Sequence, residues 1–94
     1  MSLAKPWRSL DRSIVRGAPD RYALYEIGDR EGTSLGFGIG PLGDELRDLF
    51  AYGEGSTFYP TSNAADAGDP AQVRWTIANS KPHAEKLLAE HRSD

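Results

Sequence analysis

The side chains that could do chemistry in this chain fall into a few short patterns. Arg8, Arg12 and Arg16 lie four residues apart, the spacing that lines side chains along one side of a helix. Such a stripe is either a solvated face or an electrostatic foot for nucleic acid or an acidic partner. Gly38-Ile39-Gly40-Pro41-Leu42-Gly43 spells the glycine pattern of a dinucleotide site, after a strand-like run and before a helix-like one. Its setting is wrong for that chemistry. The preceding runs read as a hairpin, and Asp44 and Glu45 would repel a pyrophosphate at the helix start. The glycines read instead as a tight strand-to-helix turn with close helix packing. His83 and His91 are too far apart on a helix for the usual paired metal ligation. No spacing of serine, histidine and aspartate suggests a triad. Cysteine is absent, which excludes disulfides, thiolate zinc sites and cysteine nucleophiles together.

Ninety-four residues make one domain with one modest core. Hydrophobic residues at 38% and charged residues at 27% are ordinary for a globular chain and exclude wholesale disorder. No apolar run is long enough to span a bilayer, so no membrane partner is expected. The first seventeen residues carry charges throughout and no apolar signal core, so a cytoplasmic location is expected. The net charge of −3 argues against tight, sequence-independent binding to phosphate backbones. That charge is unevenly spread. Residues 1–17 hold Lys5, Arg8, Arg12 and Arg16 against Asp11 alone, a local +3, which leaves −6 for the remainder.

The elements that must position these residues follow from periodicity. Pro6 to Arg16 reads as a short helix, because Trp7, Leu10 and Ile14 recur at helical spacing and Gly17 suits its end. Residues 1–20 thus form a basic N-terminal helix or arm, and residues 21–94 the body of one domain. Arg21 to Ile27 is rich in strand formers with apolar residues on both faces, which suits a central strand. After the turn-rich Gly28 to Thr33, Leu35, Phe37 and Ile39 alternate with glycines, and the two runs read as a hairpin. Leu42, Leu46, Leu49 and Phe50 switch to helical period, with Asp44 and Glu45 favouring the helix start. Residues 51–71 are rich in glycine, serine, alanine and aspartate and read as a long loop, docked in part by Phe58 and Tyr59. Val73, Trp75 and Ile77 alternate with Arg74 and Thr76, the pattern of a half-buried strand. Ser80 can cap a last helix with Pro82 in its first turn and Ala84, Leu87 and Leu88 buried. The expected fold is α+β: a small, mostly antiparallel three-stranded sheet flanked by helices.

That order, with these residues, resembles the GIY-YIG nuclease superfamily over roughly residues 21–91. Ala23-Leu24-Tyr25 matches the first motif, followed by a Gly28-Asp29 turn. Gly36-Phe37-Gly38 stands at the second. Leu42, Leu46 and Phe50 match the helix that follows, with one residue fewer before it. Val73 to His91 resembles the last strand and helix, where family members carry a metal-binding glutamate. In active members that metal stabilises the scissile phosphate, an arginine assists, and a tyrosine helps to activate water. Tyr25 keeps the first-motif tyrosine. The second-motif tyrosine falls on Gly36, which has no side chain. The arginine falls on Glu45, a reversal of charge where a phosphate should sit, and Arg47 points elsewhere on the helix. Aligning Leu87-Leu88 with the family's apolar pair puts Ala84 at the ligand position, and a one-residue shift puts Glu85 there.

The resemblance therefore implies a catalytically degenerate member. Its expected role is that of a non-catalytic module that binds nucleic acid or an acidic protein, through Arg8, Arg12 and Arg16 or the former active-site groove, without a cofactor. One alternative is a Mg²⁺-dependent endonuclease with shifted residues, using Tyr25, Arg47 and Glu85, with Glu85 on the metal. Another is a structural or oligomeric domain unrelated to nucleic acid.

Overall fold

Every residue from Ala23 to Asp29 is buried, so this stretch is sealed on both faces, as its two-sided apolar pattern predicts. In the computed structural model, which describes residues 6–52, 58–60 and 68–92, it forms the middle of a sheet. The elements run β1 (Arg8–Ser9), α1 (Arg12–Gly17), β2 (Tyr22–Gly28), β3 (Ser34–Pro41), α2 (Leu42–Tyr52), β4 (Phe58–Pro60), β5 (Gln72–Ile77) and α3 (Lys81–Arg92). Among the described residues, five antiparallel strands lie in the order β1-β5-β2-β3-β4. The three strands expected from the sequence are the centre of this sheet, and two short edge strands extend it. The α+β class read from the sequence is the observed one. No helix among the described residues is long and apolar enough to cross a membrane.

Side-chain alternation divides the core in two. Ala23, Tyr25, Ile27 and Val73 meet Leu42, Leu46 and Leu49 of α2, with Leu10, Ile14 and Val15 packed alongside. Leu24, Phe37 and Ile39 point to the other face and meet Ala84 and Leu88 of α3. The leucines of α2 fall at i, i+4 and i+7, which gives one stripe for one face of the sheet. The start of α3 is fixed by its cap. Ser80 Oγ accepts from the His83 amide, and His83 Nδ1 accepts from the Asn79 amide at 2.9 Å. His83 is therefore a capping residue.

On the α3 side, Glu26 is fully buried. Arg74, its cross-strand neighbour, donates from Nε to Glu26 Oε1 at 2.6 Å. The Arg74 guanidinium also lies 4.0 Å from the centroid of the Trp7 ring. Trp7 presses on Gly28, where a Cβ would sit 2.6 Å from a ring carbon.

The predicted helix over Pro6–Arg16 is a strand followed by a shorter helix. Arg8 and Ser9 pair with Val73 and Gln72, and the Leu10 amide donates to the Ala71 carbonyl at 2.9 Å. The helix begins after Asp11, whose carboxylate accepts from the Ile14 amide at 2.9 Å. The spacing of Trp7, Leu10 and Ile14 imitates a helix, but Trp7 and Leu10 serve opposite faces of the sheet. The described part of the N-terminal arm, residues 6–20, is thus an edge strand and a helix of the same body.

Part of the predicted 51–71 loop is ordered into β4, which pairs with Gly36 to Gly38. Residues 53–57 and 61–67, including most of the Pro60–Pro70 stretch, lie outside the described residues. Asp29 fastens the end of this segment to the hairpin. Its Oδ1 accepts from the amides of Glu31 and Thr33, and its Oδ2 accepts from the Gly68 amide at 3.1 Å. The Gln72 side chain donates to the Asp29 carbonyl. These backbone amides, that of Gly68 foremost, hold the Asp29 carboxyl below the ordinary aspartate value.

Arg74→Ala strips the cation from a buried carboxylate and is expected to cost about 3–5 kcal/mol. Urea denaturation measures it, and a loss under about 1 kcal/mol would show that the pair does not hold the sheet. Asp29 contributes stability above the ordinary aspartate range, near 4, and that contribution is lost as pH falls through the lowered folded value. Asp29→Asn should therefore be less stable than the parent at neutral pH and less sensitive to acid below about pH 5. Denaturation at a series of pH values checks both signs.

Candidate functional site

Tyr25, the first of the candidate catalytic residues, sits on β2 and points toward α2. Glu45 lies in the first turn of α2, between Leu42 and Leu46, so the helix stripe that buries those leucines also turns Glu45 inward. Gly40, at the end of β3, makes room for it. A Cβ there would stand 2.9 Å from Glu45 Cγ and 3.0 Å from Cδ, and the backbone has φ +154°, which L side chains rarely adopt. In this slot the Tyr25 hydroxyl donates to Glu45 Oε1 at 2.9 Å.

Both residues are sealed, Tyr25 at 0% and Glu45 at 2% exposure. Burial first, and the Glu45 charge second, push the Tyr25 phenol far above its ordinary value. The phenol therefore stays protonated across the physiological range. It can donate one hydrogen bond, and Glu45 takes it. It can neither serve as a base nor reach a substrate from inside the core.

The other two candidates for catalysis lie elsewhere. Arg47 stands on the outer side of α2, where its guanidinium meets Asp44 at 3.0 Å and its side chain is 70% exposed. Glu85 is exposed on α3, which packs on the opposite face of the sheet from Tyr25. The structure thus distributes Tyr25, Arg47 and Glu85 over a core, a helix surface and the far side of the sheet. Among the described residues no group of three or more histidines, aspartates or glutamates could hold a metal ion. Glu85 alone does not fit Mg²⁺, which needs several oxygen ligands in octahedral array.

The basic residues are better placed to meet a partner. Arg12 and Arg16 are exposed, one turn apart on α1, while Ile14 and Val15 turn toward the core. Arg8 belongs to β1, so the three do not form one helical stripe. Its guanidinium instead lies 5.1 Å from the centroid of the Trp75 ring. Trp75 packs against the same core cluster as Ile14 and Val15 of α1, so all three cations belong to that side of the sheet. None of them forms an ion pair among the described residues.

The glycine pattern at 38–43 has a different use from the one its spelling suggests. Gly40 admits Glu45, whereas a Cβ at Gly43 would meet nothing within 4 Å, so Gly43 does not serve close helix packing. The Leu42 amide is already spent on the Arg21 carbonyl. Sequence reasoning missed the partnership of Tyr25 and Glu45, which stand twenty residues apart in the chain. The missed signal was a charged residue at a position that the leucine stripe turns inward.

Tyr25→Phe removes the hydroxyl from a buried carboxylate and is expected to destabilise the fold by roughly 1–3 kcal/mol. Equilibrium unfolding measures it. An unchanged stability would mean that the hydroxyl is not needed at Glu45.

No curated protein and no solved structure matches this chain. A family model described as Domain of unknown function (DUF7508) matches residues 1–94, and the chain belongs to that family.

Proposed function

We propose that this domain is a non-catalytic interaction module that holds an acidic partner, nucleic acid or protein, on the basic surface of Arg8, Arg12 and Arg16. The observation that carries the reading is the Tyr25–Glu45 hydrogen bond at 2.9 Å, buried in the core. In the resemblance that motivates a nuclease, this pair occupies the tyrosine and arginine positions. A carboxylate in place of the arginine repels a phosphate, and the phenol is fully engaged. What remains for function is surface. The local +3 of residues 1–17 stands against −6 in the rest of the chain, and Arg8, Arg12 and Arg16 are exposed on one side of the sheet.

The test uses branched, single-stranded and duplex DNA and a polyglutamate chain, each with and without Mg²⁺ or Mn²⁺. Expected are no cleavage and a mobility shift or anisotropy change that weakens with salt, by a slope of about −2 to −3 in log K against log salt for DNA. Reversal of Arg8, Arg12 and Arg16 to glutamate should abolish it. Cleavage that disappears in Tyr25→Phe or Glu85→Ala would overturn the reading, and so would binding that survives the triple reversal.

A further inference from the structure

The basic surface has ends. Arg12 and Arg16 are exposed one turn apart on α1, a separation of about 5–6 Å between β-carbons. Arg8 is exposed on the same side of the sheet, over Trp75. At the start of α1 the Asp11 carboxylate is held in place by the Ile14 amide. The Leu10 amide donates to the Ala71 carbonyl at 2.9 Å, which brings the exposed Asp69, two residues earlier in the chain, to that end of the helix. Past the other end stands Asp20, exposed and four residues beyond Arg16. The cations of α1 are thus bounded by carboxylates at both ends.

This boundary discriminates between anions. A nucleic-acid strand carries a charge at every nucleotide. A strand that extends past the arginines therefore brings phosphates toward Asp69 or Asp20, where like charges repel. A polypeptide can set carboxylates opposite the arginines and uncharged residues opposite the aspartates. Its spacing fits as well. Acidic side chains lie about 5–6 Å apart at i, i+4 of a helix and about 6–7 Å apart at alternate positions of an extended chain. Both are close to the separation of Arg12 and Arg16. Each guanidinium fork can hold a carboxylate through two parallel bonds.

We infer that the arginine surface takes a short acidic segment of a partner protein, with carboxylates on Arg12 and Arg16 and uncharged residues where the segment passes Asp69 and Asp20. This rests on the interaction-module reading and names the partner for the same site.

The probes are a dansyl-labelled peptide with three alternating glutamates between Gly-Ser flanks, the same peptide with lysines for glutamates, and a labelled oligothymidylate of ten nucleotides. Each is titrated against the full chain by anisotropy. Expected is tighter binding of the glutamate peptide than of the other two, weakened at least about tenfold by joint Arg12→Glu and Arg16→Glu. Joint Asp20→Asn and Asp69→Asn, both at exposed positions, should tighten oligothymidylate roughly threefold and leave the glutamate peptide unchanged. Tighter binding of oligothymidylate than of the glutamate peptide by the parent chain would overturn the inference and leave the module reading, with nucleic acid as the partner. Oligothymidylate binding unmoved by the asparagines would also overturn it, since the aspartates would not bound the site. Glutamate-peptide binding that survives the arginine reversal, or binding of no probe, would remove both this inference and the reading on which it rests.

Discussion

The carboxylate of Glu26 lies at the centre of the sheet with no exposed surface, and a charge so placed is tolerable only where an opposite charge or a hydrogen-bond donor meets it. Arg74 meets it from the neighbouring strand. That contact fixes more than one pair. A slip of β2 against β5 by one residue would turn Glu26 into the leucine-rich core and Tyr25 out of it, so the ion pair penalises every register but this one. The same guanidinium lies against Trp7, which brings the N-terminal segment to the sheet and allows β1 to pair with β5. Register, edge strand and placement of the basic residues thus hang on one buried charge.

The neighbouring residue on β2 follows the same rule on the opposite face. Tyr25 carries a polar group into an apolar layer, and Glu45 satisfies it across the strand–helix interface. Both pairs consume, for cohesion, groups that could otherwise do acid–base or phosphoryl chemistry. A chain of this size buries little surface to offset the cost of an uncommitted charge in its core. The tight use of polar groups inside agrees with a domain whose contacts with other molecules lie on its rim.

Much of this fold is legible in the sequence, because it rests on local periodicity. The leucines at 42, 46 and 49, the alternation from Val73 to Ile77, and Ser80 ahead of Pro82 each mark an element that the structure contains. The failures are non-local. Nothing near Arg8 and Ser9 says that they will pair with residues more than sixty positions away, and the spacing of Trp7, Leu10 and Ile14 points to a helix. A three-residue strand such as β4 is too short to carry a period. The site fared likewise. Sequence placed Tyr25 on a central strand and Glu45 on a helix, but their contact spans twenty residues and depends on the slot at Gly40.

The N-terminal segment divides its side chains between the two faces of the sheet. An extended chain alternates its side chains, so with Arg8 paired to Val73 its side chain shares the face of Trp75, and Trp7 goes to the face of Glu26. Trp7 is thereby committed to packing and Arg8 to the surface. Among the described residues the ladder with β5 runs from Leu10 to Arg8, and Pro6, at the rung opposite Trp75, has no amide to donate. The same short stretch therefore pins the edge of the sheet, seals the Glu26–Arg74 pair with Trp7, and keeps the Arg8 cation at the surface over Trp75.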